Sequence, residues 1–494
     1  MTVDTHVIID LLHDDILLCV FSCHRSLHRS YNYYYTDRRL PLSVTWKWHR
    51  LAQVCRRWRY LIFASPHHLG LRLVITYTPA LKPRRLALNH WPALPMSIWF
   101  TWDLSPQHED EVAAALEHVD RIYEIELKMS KSMLEKSAAW VEASFPALES
   151  LHLRSPHSDS IVLPDAFLAA STSAAPRRLL HIELNNIYFP TLPQLLLSSR
   201  DLVSLSLRSD SDMMKTFLSP QAIISALSAT SQLKELSLYL RGWRESVQGS
   251  IQLPSPNHLL LPALNKFCFD GSGDYLEDLV SGIYAPLLEQ LDALLCWPQI
   301  VDFPQLSHFI HRTEQLSSLP HMTSIRLKNR GFQIQHCFRH LPSRQTTVRL
   351  RFDIALDWQV SQLHHVCQQL SPLMSSVEQL AITALERFSY GERRPASWPG
   401  LFEPFYCVQE LELCTPEEQG TEISHALQQS TRQGAQEVFP TLRSLWVCDF
   451  KTRAWGSINS FIASRQLTGR QVTMHRSGSL PCIEEEIHSN LLLD

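Results

Sequence analysis

Apolar residues recur along the chain in the pattern Leu-x-x-Leu-x-Leu, whose last two apolar positions alternate with polar ones. Alternation with a period of two is typical of a strand that buries one face. The central residues of successive copies often lie 31 positions apart, as in Leu205, Leu236 and Phe267. Such self-similarity predicts a stacked array in which each copy buries its leucines against its neighbours. Nine copies begin at Leu148, Leu179, Leu202, Leu233, Leu264, Met322, Val377, Val408 and Leu442.

Helical segments separate the copies. Residues 220–227 begin with Pro and continue with apolar residues, and within 360–370 Leu363, Val366 and Leu370 share one helix face. A strand, a helix and a parallel strand, repeated at about thirty residues, predict an α/β fold in which the strands form a parallel sheet. A doubly wound α/β sheet is the alternative, and the absence of a Gly-rich phosphate loop disfavours it.

These patterns divide the chain into four parts. We interpret 1–75 as a helical module with an inserted loop at 24–47, and 76–145 as a linker and N-terminal cap. The repeat solenoid then covers 146–476, and 477–494 form a flexible tail.

The repeat is less regular from about residue 285 to residue 360. A helix is predicted to start at Pro304, and the alternation of Val348, Leu350 and Phe352 predicts a strand. We expect repeats of distorted length in this stretch.

The N-terminal module contains an unusually apolar helix. Asp14 and Asp15 favour a helix N-terminus, and the six residues 16–21 are all apolar. At 100° per residue they surround the helix, so no polar stripe remains for water. A module of about fifty residues can cover one side of this helix with its own core, and the other side needs a partner.

A second helix is expected to begin near Trp48. Its apolar residues have the spacing of a single helix face, with basic residues between them. That face consists of Leu51, Val54, Cys55, Trp58, Leu61 and Ile62.

Charge is unevenly distributed along the chain. Residues 1–100 hold 13 Lys and Arg against 5 Asp and Glu, a net of +8, whereas the remainder holds 32 against 44, a net of −12. A basic N-terminal part can indicate nucleic acid. The interpretation we favour is an acidic protein partner, with nucleic acid unlikely.

Composition bears on the compartment. The eleven cysteines are odd in number and have no short recurrent spacing, which is typical of free thiols in a reducing environment. The first twenty residues contain neither Lys nor Arg, and no apolar stretch approaches about 18 residues. We therefore expect a cytoplasmic and/or nuclear protein without a membrane partner.

Candidate chemistry is sparse. Cys19, Cys23, His24 and His28 form the one compact metal-like set, but no second pair lies at finger spacing, so Cys19 is interpreted as a core residue. No nucleophile elbow, phosphate loop or dinucleotide fingerprint occurs. We expect no metal, no cofactor and no catalytic residue, hence a chain that is not an enzyme.

The N-terminal residues carry a resemblance to a known family. LHDDILLCVF at 12–21 followed by LAQVCRRWRYLI at 51–62 resembles the F-box. With the segments that follow, nearly the whole chain is similar to fungal F-box proteins with C-terminal leucine-rich repeats. The chain departs from that pattern at His13, where Pro is usual, and at the insertion 24–47. The further matching segments are 65–73, 90–95, 114–121, 356–359 and 463–469.

The resemblance implies the substrate-recognition subunit of a Skp–cullin–F-box ubiquitin ligase. The F-box helices dock on a Skp-type adaptor, which links to a cullin scaffold, and the solenoid holds a protein target. Such a subunit is non-catalytic and acts in ubiquitin-dependent protein degradation. By position, the residues that contact the adaptor or support the contact are Leu12, Ile16, Leu17, Val20, Phe21, Leu51, Val54, Cys55 and Trp58.

Target recognition is expected on the exposed face of the strands, between the buried leucines. An exposed aromatic residue there is the better candidate, because aromatic residues are enriched at binding hot spots. The alternative is a leucine-rich-repeat scaffold that acts outside any ligase. The candidate target-binding residues are His152, Arg154, Glu183, Arg208, Glu235, Tyr239, Glu410, Glu412 and Trp446.

Overall fold

The computed structural model divides into two compact units, Met1–Ser199 and Arg200–Asp494. The insertion at 24–47 lies outside the described residues from 27 onward, as does the tail beyond 477. The residues that the structure describes are 12–26, 51–65, 73–76, 94–100, 106–129, 145–155, 161–164, 178–209, 219–241, 258–296, 302–317, 322–328, 331–337, 347–353, 359–384, 398–415, 417–432, 438–448 and 452–477.

The first unit combines helices with a parallel sheet. Its helices are α1 (Asp14–Ser26), α2 (Arg56–Ala64), α3 (Pro106–Leu116) and α4 (Leu192–Ser198). Its strands are β1 (Leu73–Thr76), β2 (Met96–Phe100), β3 (Ile122–Lys128), β4 (Ser150–Arg154), β5 (Ile161–Val162), β6 (His181–Asn185) and β7 (Ile187–Tyr188). Strands β1, β2, β3, β4 and β6 pair in that order, all in parallel, and β5 pairs with β7. The segment interpreted as linker and cap thus contributes β2 and β3 to this sheet.

The second unit repeats strand and helix along a longer sheet. Its helices are α5 (Pro220–Leu227), α6 (Gly273–Ser281), α7 (Pro304–Arg312), α8 (Glu314–Ser317), α9 (Gln359–Gln369), α10 (Ser371–Met374), α11 (Trp398–Phe402), α12 (Glu417–Arg432) and α13 (Thr452–Leu467). Its strands are β8 (Ser204–Ser209), β9 (Glu235–Leu240), β10 (Leu259–Leu260), β11 (Lys266–Gly271), β12 (Ile283–Tyr284), β13 (Gln290–Cys296), β14 (Met322–Lys328), β15 (Gly331–Cys337), β16 (Thr347–Asp353), β17 (Gln379–Ala384), β18 (Glu410–Cys414), β19 (Ser444–Cys448) and β20 (Thr473–Ser477).

Strand order in this sheet is β8-β9-β11-β13-β16-β15-β14-β17-β18-β19-β20. The fold is therefore mixed α/β with a large, mainly parallel sheet. Each of the nine Leu-x-x-Leu-x-Leu copies overlaps one strand. Leu236, Phe267 and Leu291 lie side by side in register and are 0–1% exposed. Full burial of each such side chain contributes roughly 1.5–3 kcal/mol, so neighbour contact stabilises the array.

Helix α5 shows how the sequence begins and orients the helices behind the sheet. Pro220 occupies the first turn, and the Ser219 hydroxyl accepts a hydrogen bond from the Ala222 amide at 3.2 Å. Ile223 and Leu227, one turn apart, are buried. The predicted helix at 220–227 is confirmed with the same bounds.

Strands β14, β15 and β16 depart from the expected parallel order. Strand β15 is antiparallel to both of its neighbours, whereas β16 pairs in parallel with β13 and β14 with β17. The irregular stretch is thus an antiparallel meander, and the expectation of a parallel sheet throughout is wrong here. The interior face of the meander carries Thr323 and His336, whose Oγ1 and Nδ1 lie 2.7 Å apart, where other strands bury leucines.

The second N-terminal helix differs from its prediction. Residues 51–62 do not form one continuous helix, because Cys55 is extended (φ −153°, ψ 172°) and caps α2, with its Sγ accepting the Trp58 amide at 3.4 Å. The apolar positions before and after Cys55 therefore do not share one face. Val54 is 60% exposed, whereas Ile62 is fully buried.

Candidate functional site

Helices α1 and α2 form a small hydrophobic core, which we call the head core. Leu17, Phe21, Leu61 and Ile62 are at most 6% exposed, and the Trp58 ring meets the Phe21 ring edge-on with centroids 4.8 Å apart. Each helix thus buries one face against the other. The head core is completed by Ala52 and Leu94.

The opposite side of α1 is apolar and open to solvent. Ile16 is 50% exposed and Val20 is 53% exposed, and because they are one helical turn apart they form one stripe. Val54, in the turn before α2, is 60% exposed. We call these three exposed apolar residues of the N-terminal module, Ile16 and Val20 on α1 and Val54 before α2, the head patch. Six consecutive apolar residues on a short helix therefore leave an uncovered apolar side.

An ion pair fixes the start of α1 against α2. The Arg57 Nε donates to Asp14 Oδ1 at 3.0 Å, and its Nη2 donates to the same oxygen and to the Leu12 carbonyl. Asp14 lies in the first turn of α1, where a negative charge also favours the helix. Arg57 therefore positions the helix that bears the head patch.

The nine residues implied by the F-box resemblance fall into two groups. The head patch supplies the exposed ones. The others are buried in the head core, packed against it or, like Cys55, at a helix cap, so they support the surface. This second group consists of Leu12, Leu17, Phe21, Leu51, Cys55 and Trp58.

The outer face of α2 is basic and aromatic. Arg56, Arg59, Tyr60 and Phe63 line an open groove of about 400 Å³, and the Tyr60 side chain is 73% exposed. Arg59 is held by a hydrogen bond from its Nε to the Ala52 carbonyl at 3.0 Å. Tyr60 was not predicted as a site residue, although its spacing from Arg56 places both on one face of α2.

No cluster of three or more His, Cys, Asp or Glu side chains suited to a metal ion occurs within the part of the chain that the structure describes. Cys19 is exposed on α1, so its interpretation as a core residue is wrong. The reason is that the apolar run surrounds α1, and Cys19 lies on the side away from the head core. Of its proposed companions, His28 lies outside the described residues.

In the first unit, the exposed sheet face carries a charged cluster. His152 and Glu183 are paired in register on β4 and β6, with Nδ1 and Oε2 3.1 Å apart, and Arg154 Nη2 lies 2.9 Å from Glu183 Oε1. Burial acts to raise the pKa of Glu183, but the His152 hydrogen bond and the Arg154 charge outweigh it, so the pKa is lowered. Burial raises the pKa of neighbouring Glu126. Two predicted target-binding residues, His152 and Arg154, thus both contact a third, Glu183.

The middle of the second unit's sheet face contains two sets of paired charges. Asp292 Oδ1 accepts a hydrogen bond from Arg351 Nη2 at 3.0 Å, and its other oxygen lies 3.7 Å from Arg349 Nη1. Nearby, Arg241 Nε donates to Asp270 at 2.8 Å.

The candidates Arg208, Glu235 and Tyr239 lie at the β8–β9 end of the same face. Arg208 is in register with Tyr239, and exposed Glu235 is in register with Lys266. Burial raises the pKa of Tyr239 to about 12.

The C-terminal strands carry a different combination, two carboxylates beside an exposed indole. Glu410 accepts a hydrogen bond from Gln379 Nε2 at 3.0 Å, and Glu412 is in register with Trp446 on the next strand. Trp446 is 38% exposed and stacks on His475, with ring centroids 4.1 Å apart and an interplanar angle of 17°. His475 was not selected from the sequence, since its place beside Trp446 depends on strand register.

No helix among the described residues is both long and apolar enough to cross a membrane. No protein-family model matches the chain, and no curated protein matches it. Among solved structures it is similar to the crystal structure of the Rad7 and Elc1 complex in yeast, with 15% sequence identity, a TM-score of 0.28, and 88% of each chain covered. The side chains described above therefore carry the functional conclusion.

Proposed function

We propose that this chain is the substrate-recognition subunit of a Skp–cullin–F-box type ubiquitin ligase. In this proposal residues 1–75 form an F-box-like module that docks on a Skp-type adaptor, and 146–476 form a leucine-rich-repeat solenoid that binds a protein target. The observation that carries the proposal is the head patch, an apolar helix side left open next to a complete head core. The ubiquitin chemistry would occur on partner proteins.

Burial of the head patch is sufficient to contribute to docking. Full burial of a large apolar side chain is worth roughly 1.5–3 kcal/mol, so covering the open half of Ile16, Val20 and Val54 contributes about 1 kcal/mol each. Association has its own cost in lost freedom, which other contacts must help to offset. The groove with Arg56 and Arg59 favours an acidic adaptor through charge complementarity.

The repeat sheet supplies the second half of the function. Its strands present polar and aromatic side chains at regular spacing on one face, while the leucines between them are buried. A rigid array of this kind suits recognition of a folded or extended protein segment.

Capture of a purified Skp-type adaptor by the full chain tests the proposal. The double substitution Ile16→Asp and Val20→Asp places two charges on the head patch without touching the head core. We expect adaptor binding to weaken at least about tenfold, because desolvating each new carboxylate opposes docking. Leu17→Asp is unsuitable for this purpose, since Leu17 is 1% exposed and the change would disrupt the head core.

A matched control places the same charge on an exposed apolar residue elsewhere. Leu467 is 90% exposed on α13, so Leu467→Asp should bind the adaptor as the unmodified chain does. Failure of the unmodified chain to bind the adaptor would refute the proposal. If the double variant then keeps all of the chain's protein partners, the scaffold alternative is favoured.

A further inference from the structure

Helix α2 has an exposed surface whose chemistry differs from that of the head patch. Four of its residues recur at positions i, i+3, i+4 and i+7, so they form one helix face. At 100° per residue this face lies opposite Leu61 and Ile62, which are buried in the head core. The head patch is aliphatic, whereas this face is cationic and aromatic. It consists of Arg56, Arg59, Tyr60 and Phe63, and we call it the α2 groove.

The two cations of the α2 groove have no resident carboxylate partner among the described residues. Arg56 is exposed and makes no hydrogen bond or ion pair with any residue that the structure describes. Arg59 donates its Nε to the Ala52 carbonyl at 3.0 Å, a neutral group that leaves the positive charge uncompensated. Residues 51–65 contain no Asp or Glu. The groove therefore presents two guanidinium groups that are available to an acidic ligand.

Two aromatic rings accompany these cations. Tyr60 is 73% exposed, and Phe63 packs against the head core with part of its surface open. The groove that they line is open and has a volume of about 400 Å³. Arginine and tyrosine are among the residues that most often carry binding energy at protein interfaces. The α2 groove is thus suited to a segment that combines carboxylates with one bulky apolar side chain.

We propose that the α2 groove docks an acidic segment of a second protein partner, at a site separate from the head patch. Arg56 and Arg59 are three residues apart on the helix, so their Cβ atoms lie about 5–6 Å apart. Carboxylates two residues apart in an extended segment are separated by about 7 Å, which the long arginine side chains can span. The bulky side chain of the segment packs on Tyr60 and Phe63. The inference goes beyond the proposed function, in which the adaptor covers the head patch.

Charge complementarity favours an acidic protein segment over a nucleic acid. Residues 1–100 hold 13 Lys and Arg against 5 Asp and Glu, a net of +8, so an anionic ligand is attracted. A nucleic acid gains its affinity from several phosphate contacts. The groove offers two cations for this purpose, because the remaining arginine of α2, Arg57, is paired with Asp14. Two guanidinium groups match two carboxylates, whereas they contact a phosphate backbone too sparsely.

The head patch and the α2 groove require different ligand chemistry. Ile16, Val20 and Val54 gain from the removal of apolar surface from water, and a carboxylate placed on them would be desolvated without a partner. The guanidinium groups of the groove gain from carboxylates. An acidic adaptor on the head patch is still attracted by an uncovered groove, since exposed charges act over about 8 Å at physiological ionic strength. We therefore expect both ligands to bind at once.

Binding of a fluorescent peptide to the full chain tests the inference. The probe is a decapeptide of Gly and Ser that contains Glu-Ser-Glu-Ser-Phe, whose three larger side chains share one face of an extended chain. Two comparison peptides replace both Glu by Gln, or the Phe by Gly. We expect the probe to bind at least about tenfold more tightly than the Gln peptide and about threefold more tightly than the Gly peptide.

Variants of the full chain locate the binding. Arg56→Glu reverses one charge of the groove outside the head core and should weaken probe binding at least about tenfold. Tyr60→Ala removes the exposed ring and should weaken probe binding about threefold or more. The matched control is Arg178→Glu, which reverses an exposed arginine elsewhere in the first unit and should leave probe binding unchanged. The double variant with Ile16→Asp and Val20→Asp should also keep the probe while its adaptor binding weakens.

Equal binding of the probe and the Gln peptide would overturn the inference, as would probe binding that Arg56→Glu leaves unchanged. Displacement of the bound probe by a saturating Skp-type adaptor would show that the groove belongs to the adaptor contact and would refute a separate site. Tighter Arg56-dependent binding of an oligothymidine would refute the acidic segment in favour of nucleic acid. The proposed function is tested independently: if no adaptor binds but Arg56-dependent probe binding persists, the docking site stands and only the ligase assignment fails.

Discussion

Glu277 joins two helices behind the repeat sheet, and its charge should set a pH dependence of stability. It lies on α6, and its carboxylate oxygens accept hydrogen bonds from the Gln305 and Leu306 amides at 2.7 and 2.8 Å. These amides lie in the first turn of α7, where Phe303 at the N-cap offers no side-chain hydrogen bond. Glu277 is thus a cap supplied by a neighbouring helix.

Burial is the largest cause that raises the pKa of Glu277 from 4.5 to about 7. The two amide hydrogen bonds lower the pKa and the nearby carboxylates of Asp302 and Asp274 raise it, so the effect of burial is not reversed. Between these two pH values, the Glu277 carboxyl therefore keeps a proton in the native state, whereas it loses that proton in the unfolded chain. Its stabilising contribution is fully present below pH 4.5 and is lost as pH rises through about 7. The increase in the pKa from 4.5 to about 7 corresponds to about 3 kcal/mol of unfolding free energy. Partial solvent contact of Glu277 reduces the expected contribution to ~2 kcal/mol.

The substitution Glu277→Gln removes the titration and keeps an acceptor for α7. Denaturant unfolding of the full chain and of the variant at pH 5, 6, 7 and 8 measures the effect. The difference in unfolding free energy should change by ~2 kcal/mol across this range, with the unmodified chain losing more stability as pH rises. Glu277→Ala removes the cap as well and should destabilise the fold at every pH, by about 1 kcal/mol or more. Parallel pH profiles for the unmodified chain and Glu277→Gln would refute this reasoning.

Two further predictions concern packing in the second unit. Arg465 is 1% exposed and donates hydrogen bonds to both carbonyls of the turn at 438–439. Arg465→Ala should therefore lower the unfolding free energy by on the order of 3 kcal/mol. Its control, Leu467→Ala at a 90% exposed position, should change the unfolding free energy little. Gly331 has φ +135°, and a Cβ there would lie 1.7 Å from a carbonyl oxygen of β16. Gly331→Ala should therefore lower the unfolding free energy by ~2 kcal/mol or more. Its control is Gly456→Ala inside α13, where a Cβ meets open space, and this change should raise the unfolding free energy by ~0.5–1 kcal/mol. Denaturant midpoints measure both pairs, and equal effects within a pair would contradict the packing argument.

The repeat array was predictable because its signal is local and recurs. Each Leu-x-x-Leu-x-Leu copy carries its own alternation, and the copies at Leu233 and Leu264 became adjacent strands with Leu236 opposite Phe267. The helix at 220–227 was predictable because Ser219, Pro220 and the buried apolar face all agree. Local and long-range preferences coincide at these positions.

The meander and the broken N-terminal helix were not predictable from these patterns. Alternation gives the buried face of a strand but not its direction, so β15 looks the same whether it is parallel or antiparallel. The apolar spacing from Leu51 to Ile62 fits a helix, but the extended backbone of Cys55 interrupts it, and a thiol is an uncommon cap. The structure determines both features through contacts distant in sequence.

The candidate surfaces were predictable in part. The apolar run at 16–21 already required an uncovered side, but only the packing against Trp58 and Leu61 identifies Ile16 and Val20 as that side. Trp446 was a candidate from its position between buried residues. Its support by His475 depends on the pairing of β19 with β20, which the sequence pattern does not specify.

The meander determines which charged side chains lie beside one another on the sheet face of the second unit. It places Arg349 and Arg351 of β16 beside Asp292 of β13, because β16 returns to pair with β13 after two reversals of direction. In an uninterrupted parallel array, β14 would follow β13 and Asp292 would have a different neighbour. The same reversal puts four strands between β13 and β18, a distance of about 24 Å at about 4.8 Å per strand step, and three strands between β16 and β18, about 19 Å. That separation exceeds the Debye length of about 8 Å at physiological ionic strength. The charges of Arg349 and Arg351 therefore act on Asp292 of the neighbouring strand and are screened from Glu410 and Glu412.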